Sequence, residues 1–342
     1  MAPRLSESFQ IRRLAADLGL KGPADPVSAV RQFCRERLMG FMAEIPCSTL
    51  VDLLALAQDR LGTVFVEVYS SDDLRQVMQK YVDRRELGFA RLDQELEGDV
   101  LAITIRLLRP QPWERPFVSI IDCRGAKARR AYYSKWHELA HLLTLTNQQR
   151  LVFRRTHVSG QENDPEERLM EQIAGDGAFM PEVIVPHATQ PVSFDVIEQL
   201  RDRLCPEASD QATRIGFVQA WPTPCLLLQG ALAVRKGEQR TLDQTAFQFA
   251  NPPEAALRAV EITANPTARG VNFLIPRNMR IPQESAIYST YLDGADREAV
   301  EDLDWWSSSN GRRLGSQPIR VVARSIYDGV LALVTPHRYQ GT

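Results

Sequence analysis

Two histidines four residues apart, with a glutamate directly after the first, are the residues of this chain best suited to chemistry: His137-Glu138-Leu139-Ala140-His141. On a helix, positions i and i+4 share one face. Both imidazoles can therefore turn toward one ion. Glu138 is rotated by about 100° from His137, which sets its carboxylate beside the ion rather than on it. There it can act as a base toward water. A bound Zn²⁺ lowers the pKa of its water to about 7, which makes hydrolysis feasible at neutral pH.

A catalytic zinc site takes three protein ligands and keeps one position open, so a further ligand must come from another element. Glu167 and Glu171 are four residues apart and share a helix face. One can ligate the metal while the other holds a ligand histidine's second nitrogen. Glu166 suits the first turn of the same helix, where an acid meets the helix dipole. Two imidazoles and a carboxylate also suit Mn²⁺. A hydrolase needs a donor for the oxyanion. Tyr132, Tyr133 and His157 are the available types, and His157, between the two ligand helices, can reach a cleft. The remaining histidines of the five, His187 and His337, sit among prolines in loops and read as exposed.

The elements that must position these residues are legible in outline. Helical spacing covers 26–42 and 48–60, with Asp25 and Ser48 as expected N-caps. Runs of β-branched and apolar residues at 62–69, 100–107 and 117–122 read as strands, with a short helix at 72–82 between the first two. Strand 100–107 is considered as an edge onto which a substrate peptide could add itself. The basic run with Lys127, Arg129 and Arg130 reads as a solvated helix start. The active-site helix is expected over 128–145 and the second ligand helix over 165–179, with Asp164 capping before Pro165. Further helices fit 193–204 and 209–219, and residues 1–25 read as a loose lead-in. Beyond Pro222 and Pro224 the chain changes character. Strand-like runs at 257–263, 271–275, 319–326 and 329–334 are separated by Gly, Pro and Asn. The expected domains are therefore 1–225 and 226–342.

Composition narrows the functional classes. The chain has 342 residues, 44% hydrophobic and 25% charged, as in globular proteins. A net charge of -2 gives no electrostatic case for wrapping nucleic acid, and the helix at 209–219 offers only Arg214 as a basic residue. No signal-peptide-like or membrane-spanning run is seen. The five cysteines form no CxxC pair. They read as reduced thiols, which makes a cytoplasmic location the expectation.

Arg129–Leu143 and Glu167–Pro181 together resemble the ImmA/IrrE family of metallopeptidases, the resemblance running over roughly residues 50–225, with the HExxH segment its strongest part. The resemblance implies a zincin-like α+β metallopeptidase domain with a small mixed sheet, followed by a smaller mixed α/β domain. It places Glu167 on the family's third ligand, with Glu171 the alternative. The longer Glu171 and the glycines at 175 and 177 depart from the family pattern. A weaker likeness to the IrrE-like C-terminal sensor-like domain rests on Arg277–Ser285, Trp305-Trp306 and Gly329–Leu333. The implied substrate is a specific cytosolic protein, a helix-turn-helix DNA-binding repressor whose cleavage switches on stress, mobile-element or defence genes. The other reading is a sensory or interaction protein whose zinc site is structural or weakly catalytic.

Overall fold

The computed structural model describes residues 5–145, 152–155, 164–234, 255–307 and 311–337. The architecture is α+β, with two small sheets among the described residues. The chain forms two compact units, Met1–Val183 with Arg201–Asp210, and Ile184–Leu200 with Gln211–Thr342.

The first unit opens with α1 (Phe9–Asp17), α2 (Pro26–Glu44) and α3 (Leu50–Arg60). The lead-in expected over 1–25 is thus corrected: α1 buries Ile11, Leu14 and Ala15 on one face, which repays its ordering. Asp25 caps α2 as expected, accepting from the backbone N–H groups of Val27 and Ser28. The cap of α3 is Thr49 rather than Ser48. It forms a capping box with Asp52.

A four-stranded sheet follows, from β1 (Thr63–Val68), β2 (Ala102–Arg106), β3 (Phe117–Asp122) and β4 (Val152–Arg155), in the order β1-β3-β2-β4. β1 runs parallel to β3, and β2 runs antiparallel to both β3 and β4. β2 therefore lies inside the sheet, and the edge role considered for it is excluded. The strand alternation sorts side chains onto two faces. One face carries Ile103, Ile105, Val118 and Ile120. They pack with Leu74 and Tyr81 of α4 (Ser71–Val82) and Leu92 of α5 (Leu92–Glu95). The other face carries Ala102, Thr104, Ser119 and Ile121, and meets α6 (Ala131–Leu143).

Between β3 and α6, Lys127 donates to the carbonyls of Leu96 and Val100 and to the Asp122 carboxylate at 2.8 Å. Arg124 reaches the same carboxylate. Lys127 is thus an internal clamp on the sheet end, not the solvated charge expected. The unit continues through α7 (Pro165–Ala178) and α8 (Pro181–Ile184). α9 (Phe194–Leu204) begins in the second unit and ends in the first, and α10 (Asp210–Ala220) leads back into the second.

The second unit holds a five-stranded antiparallel sheet, ordered β6-β5-β9-β8-β7. Its strands are β5 (Leu226–Ala233), β6 (Ala256–Ala264), β7 (Arg297–Asp302), β8 (Pro318–Ile326) and β9 (Gly329–Pro336). Short α11 (Pro266–Gly270) and α12 (Ala286–Asp293) contribute Ala268, Ala286 and Ile287 to its core. The run 271–275, expected as a strand, is not one. Asn272 takes a left-handed φ of 55°, which breaks an extended run, and Phe273 and Ile275 join the core from a turn. Of the tryptophan pair, Trp306 is buried in the core and Trp305 is exposed.

Glu301 of β7 is buried in this unit. Its Oε1 accepts from Ser285 Oγ and the Ala286 N–H at the start of α12. Its Oε2 has no hydrogen-bond partner, and burial raises its pKa. The stabilising state is the protonated one, present at low pH and lost as pH climbs through the raised value. Glu301→Gln keeps the acceptor without the buried charge. Its stability relative to the native chain should grow as pH rises from about 4.5 to 8, as read from denaturant midpoints.

Candidate metal centre

Helix α6 is buried along almost its whole length, with every residue from Ser134 to Leu143 buried. His137 and Glu138 are fully inaccessible. Polar side chains at such positions are costly unless they are paired or bind something. The helix is tied down on several sides. Lys135 bridges Glu67 of β1 at 2.7 Å and Glu207 at 2.8 Å. Arg37 of α2 donates to the Leu143 carbonyl, satisfying an orphan acceptor at the helix end.

Helix α7 lies against α6. The Tyr132 hydroxyl donates to the Ala178 carbonyl at 2.8 Å, and the Tyr133 hydroxyl to the Glu171 carbonyl at 2.6 Å. Both tyrosines, which are of a type that could serve an oxyanion, thus spend their protons on the α7 backbone. Arg31 of α2 grips Asp176 of α7 with two hydrogen bonds of 2.7 Å. Asp164 caps α7 at the Glu166 N–H, as its place before Pro165 implies.

Among the described residues, His137, His141 and Glu167 bring one ligand atom each to within 4.8 Å of one another. His137 Nε2 is 3.4 Å from Glu167 Oε2, and His141 Nε2 is 3.5 Å from Glu167 Oε1. The two rings stand 4.9 Å apart, nearly edge to face. Glu171, weighed equally with Glu167 on spacing, is not in this group. His157 lies outside the described residues.

The donor set fits a divalent ion. Contacts of 3.4–3.5 Å are long for charge-assisted hydrogen bonds. They match the edge of a tetrahedron of ligands about 2.1 Å from its centre, which measures about 3.4 Å. Both ring nitrogens of His137 are buried without a hydrogen-bond partner, as is Glu138 Oε1. Burial opposes charge on Glu167, yet His137 and His141 hold its pKa far below the usual carboxylate range. Burial likewise opposes protonation of His141, but Glu167, with Glu138 and Glu166 beyond, raises its pKa on balance. The two shifts have one cause: the carboxylate and the imidazoles stabilise opposite charges on each other.

Glu138 sits beside this group. Its Oε1 is 3.7 Å from His137 Nδ1, and its Oε2 accepts a 2.7 Å hydrogen bond from Thr104 Oγ1. Sequence reasoning missed Thr104. The available signal was a hydroxyl in the middle of an otherwise apolar strand (Ala-Ile-Thr-Ile).

No family model matches the chain, and no curated protein matches it. Among solved structures it is similar to a Mycobacterium tuberculosis transcriptional regulator, with 12% identity and a TM-score of 0.37, over 96% of this chain and 80% of that one. A likeness of that degree carries no argument about fold or function.

The glycine at 177 has a local cause. A Cβ there would stand 2.6 Å from Cζ3 of Trp136, the residue next to His137. Only a bare backbone lets α7 lie over that ring. Gly177→Ala gains helix propensity but forces the two helices apart. Net destabilisation of about 1–3 kcal/mol is expected, measurable as a lowered midpoint of thermal unfolding.

Proposed function

We propose that this chain is a zinc-dependent endopeptidase of the HExxH type, related to the ImmA/IrrE family, with a zincin-like first unit. The observation that carries the reading is the convergence of His137, His141 and Glu167 on one point, with Glu138 Oε1 3.7 Å from Nδ1 of His137. His137, His141 and Glu167 would hold the ion, with Mn²⁺ as the other candidate. Bound zinc would supply Lewis acidity and a more acidic water. Glu138 has the role of general base. Its unpartnered Oε1 can take a proton from the attacking water and return it to the leaving amine.

The substrate in this reading is a specific protein, a helix-turn-helix repressor, and the consequence of cleavage is derepression of stress, mobile-element or defence genes. Direct nucleic-acid binding is not part of it, in keeping with the net charge of -2. Among the described residues, no helix is long and apolar enough to cross a membrane. A cytoplasmic site of action belongs to the proposal.

Co-expression with repressors encoded beside its gene tests the reading. The native chain should shorten one of them, and Glu138→Gln should lower the rate by about 10²–10⁴ while retaining one metal ion per chain by native mass spectrometry. Uncleaved repressor with the native chain, or equal cleavage by both, would sink the peptidase. A zinc site of structural role would show metal binding with no dependence on Glu138.

The ligand assignment has a separate check. Glu167→Gln should lose tight Zn²⁺ binding, whereas Glu171→Gln should keep it. A reversed result would move the third ligand one turn along α7.

A further inference from the structure

Three hydroxyl side chains lie fully buried on the face of the first sheet that meets α6: Thr63 of β1, Ser119 of β3 and Thr104 of β2. Those strands are neighbours in exactly that order. Thr63 Oγ1 and Ser119 Oγ are 2.9 Å apart, Ser119 Oγ and Thr104 Oγ1 are 2.7 Å apart, and Thr104 Oγ1 donates to Glu138 Oε2 at 2.7 Å. Thr104 and Ser119 are directly opposed in the antiparallel ladder. The hydroxyls therefore form one continuous line across three strands that ends on the carboxylate of α6.

Each hydroxyl has a single proton. With Thr104 donating to Glu138, the hydrogen bond between Ser119 and Thr104 must be donated by Ser119. The one between Thr63 and Ser119 must then be donated by Thr63. All the dipoles point the same way, toward Glu138, and aligned hydrogen bonds strengthen one another. The same positions filled by Val or Ala would suit a sheet face packed on a helix, since burying hydroxyls is costly unless they are satisfied. Here they satisfy only each other and the carboxylate. The line starts at Thr63, itself inaccessible, so it offers no path for a proton to solvent.

We propose that Thr63, Ser119 and Thr104 are positioning residues for Glu138. The aligned hydroxyls pin Oε2 to the sheet and so leave Oε1, the oxygen without a hydrogen-bond partner, on the side of His137. One carboxylate oxygen is given to the fold and the other to the chemistry. A glutamate side chain has three rotatable bonds, and holding it in one orientation before substrate arrives is what makes a general base efficient. The consequence for catalysis rests on the peptidase reading; the pinning of the side chain does not.

The test reads Glu138 directly. Full-length protein is labelled with carboxyl-¹³C glutamate, with and without added Zn²⁺. The Glu138 resonance is assigned by its disappearance in Glu138→Gln. Thr104→Val should shift it most, Ser119→Ala less and in the same direction, and Thr63→Val least. Thr104→Ser should return it to the native position. A merely structural role would lower the unfolding temperature without this graded shift. If Thr104→Val does not fold, Ser119→Ala and Thr104→Ser decide the matter. An unmoved resonance in Ser119→Ala, or a failure of Thr104→Ser to restore it, overturns the proposal. Absence of zinc binding or of Glu138-dependent cleavage would instead remove the peptidase reading and leave the resonance test intact.

Discussion

The first unit depends on one electrostatic meeting: a partly exposed glutamate from α7 placed against two buried imidazoles of α6. Taking such groups out of water costs several kcal/mol per charge, and only opposite charge or a bound ion offsets it. The direction of both shifts is consistent with that balance. The imidazoles hold Glu167 ionised against burial, and Glu167 in turn favours a charged His141. Every contact that fixes α7 on α6 is in effect part of the centre. The Tyr132 and Tyr133 hydroxyls and the seat of Trp136 over Gly177 set the separation of the helices, and the Arg31–Asp176 pair ties α7 to α2. That separation sets the distance across which an ion would be shared.

The four-stranded sheet divides its labour between faces. The side packed on α4 and α5 is aliphatic and aromatic, and supplies the hydrophobic free energy. The side toward α6 mixes Ala102 and Ile121 with buried hydroxyls, one of which, on Thr104, donates to Glu138. A sheet with both faces alike would have given either a looser core or an unsupported carboxylate. Lys135 completes the arrangement. Paired with Glu67 and Glu207, it ties the helix to β1 within two residues of the first histidine.

Much of this was legible residue by residue, because the signals are local. Caps at Asp25 and Asp164 mark helix starts through side-chain bonds two or three residues away. The strand at 117–122 was readable because β-branched and apolar residues fill it. Where the reading failed, the deciding partner was distant or the local signal ambiguous. α1 is short, and becomes a helix because Ile11, Leu14 and Ala15 find a core. The run 271–275 is apolar enough for a strand but turns at Asn272 and has no strand to pair with among the described residues. β7, with its charged Arg297, Glu298 and Glu301, gave no strand signal of its own. Pairing with β8 makes it one.

The sequence by itself determined the spacing of His137, Glu138 and His141, because the helical period places i and i+4 together whatever surrounds them. It also limited the next ligand to the acidic face of α7. Only tertiary structure separated Glu167 from Glu171, brought Thr104 under Glu138, and put β2 inside the sheet rather than at its edge. Each of those outcomes depends on where one element lies against another. That is decided by packing over the whole unit, and no short stretch of residues encodes it.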